Sequence, residues 1–404
     1  MPPDFPPLLW KRYPWSSECS GRPEPKAHRP LRGQRARRRN IPHRRLIVIE
    51  TYSYSTLIFR FAVRVRLLGW VGVVSCLTWA TGCVPRAESD VVVYSALDEE
   101  FAFPILNAFE RSTDHETGVI PKFDVESTKT VGLVNRIIAE QDKPVCDLFW
   151  NNEIMHTVRL QKLGLLQPMS WDLPSGYPTE MVARDGTWCG FAARARVLLI
   201  NTKLIPDPAD YPTAVAELSD PKWEKKCAMA RPLFGTTATH FAVLRELQGR
   251  ERTLSQMQEI QKNAVILSGN KQVAQAVAAG HVAWGLTDTD DAIIEKDSGE
   301  PVAIVFPDQA PDQAGALRIP NTIAVLKNAP HAVAAAQLAD YLISPETEDR
   351  LAMGNSSQLP VHRGSKFPPR VLPSDPVRWM RVDFEAAAEG WDEWSKEVQE
   401  MFRD

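Results

Sequence analysis

Long apolar runs are scarce in this chain of 404 residues. The longest, Leu67 to Trp79, falls well short of the roughly 20 residues a permanent spanning helix needs, and no second run follows it. Cysteine is equally thin: of six in all, only Cys146, Cys189 and Cys227 come after residue 83, widely spaced and without a CxxC pair. That spacing offers neither a disulfide framework nor a thiolate metal or redox motif, so the three are read as compact, buried apolar residues. HExxH, GxxxxGKS and any nucleophile motif are absent. His156, His240 and His281 lack the paired spacing of metal ligands and are read as structural.

What is present begins with Arg64-Val65-Arg66, the short apolar run, and then Ala80-Thr81-Gly82-Cys83. A basic start, a short apolar core and small residues before a cleavage point make an export signal, and Cys directly after them resembles a bacterial lipobox. Residues 61–82 are therefore expected to be cut away, leaving Cys83 as a lipidated N-terminus, residues 83–89 as a tether and the protein anchored outside the cytoplasmic membrane. Residues 1–60, with Arg35-Ala36-Arg37-Arg38-Arg39 and little apolar periodicity, are read as a non-native or disordered extension. Residues 83–404 carry 32 basic and 46 acidic side chains, a formal charge of −14. Such a surface disfavours nucleic acid and other polyanions.

The rest is long enough for two α/β lobes. Val91 to Tyr94 reads as a buried strand, Asp98 to Phe109 as an amphipathic helix, Val119 to Val125 as a strand, Val131 to Ile138 as a helix and Asp147 to Trp150 as a short strand, giving βαβαβ. Val197 to Ile200, Cys227 to Ala230, Val282 to Leu286 and Val302 to Phe306 read as strands of a second lobe, with helices from near Ala238 and over Asn270 to Ala279. Ile323 to Leu326 and helices over Ala332 to Leu342 and Glu346 to Met353 fit a return to the first lobe, and the Trp-rich, acidic end fits outer helices. The expected division is 90–196 and 312–362 for lobe one, 197–311 for lobe two and 363–404 for a C-terminal helical segment.

Val93-Tyr94-Ser95-Ala96, Asp147-Leu148-Phe149-Trp150, Ala193-Arg194-Ala195-Arg196-Val197, Leu218-Ser219-Asp220-Pro221-Lys222-Trp223 and Gln275-Ala276-Val277-Ala278-Ala279-Gly280 stand in the order and spacing of periplasmic ferric-iron-binding proteins. Over residues 90–362 the chain resembles that branch of the solute-binding subunits of ABC importers. The resemblance implies a two-lobed periplasmic-binding-protein clamshell, each lobe a mixed sheet flanked by helices, with the chain crossing between lobes twice. It also implies a cleft that closes on a solute and presents it, as a monomer, to a membrane permease.

The family's ligands do not carry over intact. Its adjacent tyrosine pair falls on Asp290 and Asp291, its histidine on Asp98, and its glutamate on Asn152, one step from Glu153. Asp98, Asp288, Asp290, Asp291 and Glu153 are thus candidate carboxylate ligands for a hard cation, iron(III) or another, while an organic ammonium suits the same charges. The run Thr287 to Asp291 also suits simple capping of the next helix. Where the family holds a synergistic anion on a helix N-terminus, this chain has Gly235, Thr236 and Thr237, with Asn270 beside them. Such a terminus suits phosphate, carbonate or a carboxylate. Arg194 and Arg196 are candidate anion partners, or one of them part of a structural interlobe pair, and Tyr94 and Trp150 are candidate pocket walls. No catalytic residue or catalytic cofactor is expected. The leading expectation is a lipid-anchored importer subunit for a metal ion with its anion. The alternatives are a phosphonate or amine-bearing solute and, from another class, a carboxylate-based hydrolase.

Overall fold

The computed structural model describes residues 90–123, 129–362 and 364–403. The export signal, the tether and Cys83 lie outside the described residues. Among those described, no helix is long and apolar enough to cross a membrane.

The first sheet grows from β1 (Val91–Ser95), which pairs in parallel with β2 (Val119–Phe123) on one side and β3 (Leu148–Asn151) on the other. The connections are α1 (Glu99–Ser112), whose Ala102, Ile105, Leu106 and Phe109 are buried, and α2 (Lys129–Ala139). A third helix, α3 (Met155–Lys162), follows β3. The sheet continues antiparallel through a late strand to β4 (Cys189–Asn201), thirteen residues that are all buried. Sequential apolar residues without alternation are what a strand covered on both faces requires.

β4 is shared. Its first half, Cys189 to Ala195, pairs with β9 (Arg318–Val325) of the first sheet, and from Arg196 onward it pairs with a second sheet. That sheet comprises β5 (Cys227–Ala230), β6 (Val265–Leu267), β7 (Trp284–Asp288) and β8 (Val302–Val305), with β7 and β8 flanking β4. Its helices are α4 (Gly235–Gln248), α5 (Arg250–Asn263), α6 (Asn270–Ala278) and α7 (Thr289–Asp297). Gly249, at φ +89°, makes the left-handed turn that lets α5 follow α4 at once. Gly285 of β7 lets α6 lie close, since a Cβ there would stand 2.5 Å from Val273 Cγ1.

The chain leaves the first sheet through β4 and returns between β8 and β9, so the two mixed α/β lobes are joined by two crossings. β4 kinks before the first: its register with β9 shifts between Phe191 and Arg194, and Ala192 has φ +40°. The kink is held from outside. The buried carboxylate of Glu348, on α9 (Pro345–Met353), accepts from the N–H groups of Ala192, Val361 and His362, and Asn321 donates to the Ala192 carbonyl. α8 (Ala332–Leu342) precedes α9, as the apolar pattern implies.

The C-terminal stretch forms α10 (Phe384–Ala387) and α11 (Trp391–Met401), with Trp391 and Trp394 buried. It touches both lobes. Arg184 pairs with Asp383 and Arg159 with Asp392 on one side, while Arg245 donates to the Ala387 and Gly390 carbonyls and Gln261 to that of Met401 on the other. Cys146, Cys189 and Cys227 are buried free thiols.

Candidate functional site

In α/β sheets ligands gather beyond the carboxyl ends of parallel strands, and both lobes present those ends to one cleft. From the first lobe come Leu97 and Asp98 after β1, Thr130 at the start of α2 and Asn152 after β3. From the second come Arg231 after β5, Gly235, Thr236 and Thr237 opening α4, Asn270 and Lys271 opening α6, and Asp288, Asp290 and Asp291 after β7. Arg194 lines it from β4. The cleft is open to solvent, and its cavity measures about 80 Å³.

Strand register assembles its charges. Arg196 lies directly opposite Asp288 in the antiparallel β4–β7 pair. Opposed residues share a face, so the Arg-x-Arg of β4 meets the Asp-x-Asp that ends β7 and opens α7. Arg196 Nη1 is 2.6 Å from Asp288 Oδ1, and Arg194 Nη1 is 3.2 Å from Asp290 Oδ2. One oxygen from each of Asp288, Asp290 and Asp291 lies within 4.8 Å of the others. Capping alone does not account for the run: Asp288 holds the N-cap position of α7, yet its side chain makes no capping bond.

Confinement sets the protonation. Burial raises the Asp290 carboxyl above the usual range, helped by Asp288 and Asp98 and opposed by Arg194. Asp291 is pushed well above it by desolvation, then by Asp290 and Asp288. For Arg194, burial works against the charged form, but Asp290 foremost among four carboxylates outweighs it and holds the guanidinium above its ordinary value. Arg194 is only 6% exposed, and among the described residues its Nε and Nη2 have no hydrogen-bond partner. An unsatisfied buried donor costs on the order of 1–3 kcal/mol, so this side chain is built to meet an acceptor.

Asp288 is engaged through both oxygens. Its Oδ1 takes Arg196, and its Oδ2 accepts from the Thr236 hydroxyl and, at 2.9 Å, from Asn270 Nδ2. The same donors bond one another: Asn270 Nδ2 reaches Thr236 Oγ1 at 2.8 Å, Thr237 Oγ1 donates to Asn270 Oδ1 at 3.0 Å, and Arg196 Nη1 and Nη2 donate to Thr236 and Thr237 at 3.1 and 3.2 Å.

Four expected site residues stand elsewhere. Glu153 is fully buried and away from the cleft lining; it accepts from Met155 N, His156 N, Asn151 Nδ2 and Thr239 Oγ1, and so closes the first turn of α3. Burial would raise its carboxyl, but His156 and these donors hold it below the usual range. Tyr94 is covered, its hydroxyl donating to Glu140 at 2.9 Å with Arg136 over the ring. Trp150 packs inside the sheet against Phe191. Both lie mid-sheet, one pleat away from the strand ends that reach the cleft. Arg196 is fully buried behind Asp288 rather than open to the cleft.

Arg231, Lys271 and Thr130 were not singled out by sequence, and Asn152 was named there only as the position on which the family's glutamate falls. A signal existed for the first two: Arg231 directly follows a parallel strand, and Lys271 adjoins Asn270 at a helix start. His240 sits one turn below Thr236, and burial, then Arg196, lowers its pKa to about 3.

Two α/β lobes closing on one polar cleft define a solute-binding protein. A model of the family described as bacterial extracellular solute-binding protein matches residues 144–387, and the chain belongs to that family. Iron uptake protein A2 of Synechocystis sp. is 29% identical over 262 residues, 61% of this chain and 71% of that protein. Iron-bound HitA from Pseudomonas aeruginosa has the same fold at TM-score 0.66 and 24% identity, covering 76% of this chain and 99% of its own. A Trichodesmium protein (IdiA, FutA) crystallised with iron and citrate superposes at TM-score 0.66 and 20% identity, covering 78% of this chain and all of its own.

Proposed function

We propose that this protein is the exported solute-binding component of an ABC importer, and that its cargo is a hard, oxygen-liganded metal ion, iron(III) foremost. The observation that carries the reading is the trio Asp288, Asp290 and Asp291, with oxygens within 4.8 Å of one another in a cleft walled by both lobes. Clustered carboxylates that resist ionisation together gain most from a cation of high charge. The printed names of the relatives, iron uptake and iron-bound proteins, agree with it. Asp290 and Asp291 are the proposed direct ligands, with Asp98 joining from the opposite wall on closure. Of the anions that suit such a cargo, carbonate, phosphate or a carboxylate, a carboxylate borne by the cargo is the one proposed to accompany it, with Arg194 as its partner in the cleft.

The protein works as a binder, not a catalyst, anchored through lipid on Cys83 and delivering its cargo as a monomer to a permease in the cytoplasmic membrane. Closure hinges where β4 passes from Arg196 to Asn201 and where the chain returns between Phe306 and Leu317. A second reading, a phosphonate or amine-bearing solute, draws on the unpartnered Arg194 donors beside the carboxylates, a pairing that also suits a zwitterion. Native mass spectrometry of the chain from Ser89, titrated with Fe(III)-citrate and separately with 2-aminoethylphosphonate, decides. A metal adduct lost in Asp290→Ala supports the metal reading; saturable phosphonate with no metal at any concentration reverses it.

A further inference from the structure

We infer that the Asp288 carboxylate is this site's own anion, tethered to the chain in the place a free anion would take. The inference rests on the metal reading above and names what completes the cation's shell. Of the side-chain donors expected to hold an external anion, Thr236, Thr237, Asn270 and Arg196 are already committed within the protein, while Arg194 keeps unpartnered donors. Thr236, Asn270 and Arg196 converge on Asp288, and Thr237 orients Asn270. Asp288 is 2% exposed. It is therefore gripped as a buried oxyanion is gripped, by a guanidinium, an amide and a hydroxyl at the mouth of a helix.

The same carboxylate also faces the cation position, since it is one of the three whose oxygens cluster within 4.8 Å. A group held by anion donors on one side and offered to a metal on the other does what a bridging anion does. Being covalent, it costs no second binding event. The family's tyrosine pair is replaced here by aspartates at 290 and 291, so Asp288 also sits two residues before the first of them, at a fixed distance set by the β7–α7 junction. Arg194 marks the outer limit of this arrangement. Among the described residues its Nε and Nη2 are unpartnered and buried at the cleft wall, while its Nη1 pairs with Asp290. Those donors are left for a carboxylate that arrives on the cargo and are not needed to retain a separate inorganic anion.

The cation site is thus expected to fill without carbonate or phosphate. Native mass spectrometry of wild type, loaded from Fe(III)-nitrilotriacetate and exchanged into ammonium acetate with or without about 10 mM phosphate or bicarbonate, reads the metal alone, with affinity changed by less than about threefold. One phosphate or carbonate retained per metal, or an affinity raised tenfold or more, overturns the inference. The complementary arm is Asp288→Ala, which leaves Arg196 buried without its partner and lowers both Tm and metal retention. Formate at tens of millimolar recovers both in the variant and neither in wild type, with metal and formate retained together. Recovery of Tm without recovery of metal binding reduces Asp288 to a structural ion-pair partner and likewise overturns it.

If Asp288→Ala does not fold, Asp288→Asn keeps the volume and removes the charge; it is expected to bind metal only when phosphate or formate is added, and anion-independent binding by that variant counts against the inference. Failure of every form to take metal rejects the metal reading itself. In that event formate uptake by the metal-free variants still shows whether the Asp288 position is an anion position.

Discussion

Replacing Asp291 with asparagine should move apo stability and metal affinity in opposite directions. In the empty cleft, two ionised carboxylates with oxygens no more than 4.8 Å apart repel by about 3.5 kcal/mol or more at an effective dielectric near 20. Arg194, 3.2 Å from Asp290, offsets part of this, and protonation relieves more, which is why both carboxyls titrate above their usual range. Asparagine removes the repulsion and keeps the volume, leaving a gain of about 1–2 kcal/mol at pH 8, or roughly 2–4 °C in Tm. The sign can be checked by titration. A carboxyl whose folded pKa is raised binds its proton more tightly in the native state, so wild-type stability falls as pH rises from the ordinary carboxylate value through the raised one. Asp291→Asn should flatten that descent. With metal present the variant loses a charged ligand, and affinity drops at least about tenfold, the loss of one charge-assisted contact. Differential scanning fluorimetry from pH 4 to 9 on metal-stripped protein, paired with competition against nitrilotriacetate, measures both. Equal losses in stability and affinity would show that Asp291 is a structural residue and would refute the electrostatic argument.

Glu348→Ala strips acceptors from three buried N–H groups at the β4 kink; a loss of about 3–5 kcal/mol is expected in chemical denaturation, and a cost below about 1 kcal/mol would show that the kink holds itself. His240 is neutral in the folded protein, with a pKa of about 3 against 6.5 ordinarily. Its folded pKa being lowered, the stability it contributes is present above about pH 6.5 and is lost as pH falls toward 3. His240→Phe should therefore remove that part of the acid limb, and an unchanged limb counts against burial as its cause. Arg245→Ala should expose 384–402 to hydrogen exchange before the rest of the chain, because Arg245 holds the Ala387 and Gly390 carbonyls and lies over Trp394; uniform exchange would place the anchor elsewhere.

The periodic elements were legible because their apolar faces are continuous. β1, α1, α2 and β3 fall within a few residues of their expected places, and β4 extends in both directions the run from Val197 to Ile200. α5 escaped because its buried positions, Thr253, Met257, Ile260 and Asn263, include two polar residues and leave no apolar stripe. β6 is three residues long and partly exposed, too short for any pattern. At the site, the aspartates and the α4 terminus were visible as residue types, but their division of labour was not. That Asp288 belongs with Arg196 follows from the β4–β7 register, and that it meets Thr236 and Asn270 follows from the parallel order β7-β5-β6, neither of which local sequence encodes. Glu153 misled for a related reason: a carboxylate just past a strand end serves a ligand or the next helix equally well, and here Thr239 and the α3 amides claim it.

The shared strand β4 also settles which contacts a ligand meets first. In the closure proposed above, β4 bends from Arg196 to Asn201, just past the left-handed Ala192 and the register shift with β9. Arg194 stands immediately before that hinge, and Asp288, Asp290, Asp291 and the start of α4 would travel with the second lobe. Asp98, Thr130 and Asn152 line the cleft from the first lobe and would approach them on closure. The charged half of the cleft is therefore complete while the jaws are apart. Capture speed belongs to that finished half, and residence time to the wall that swings in behind it.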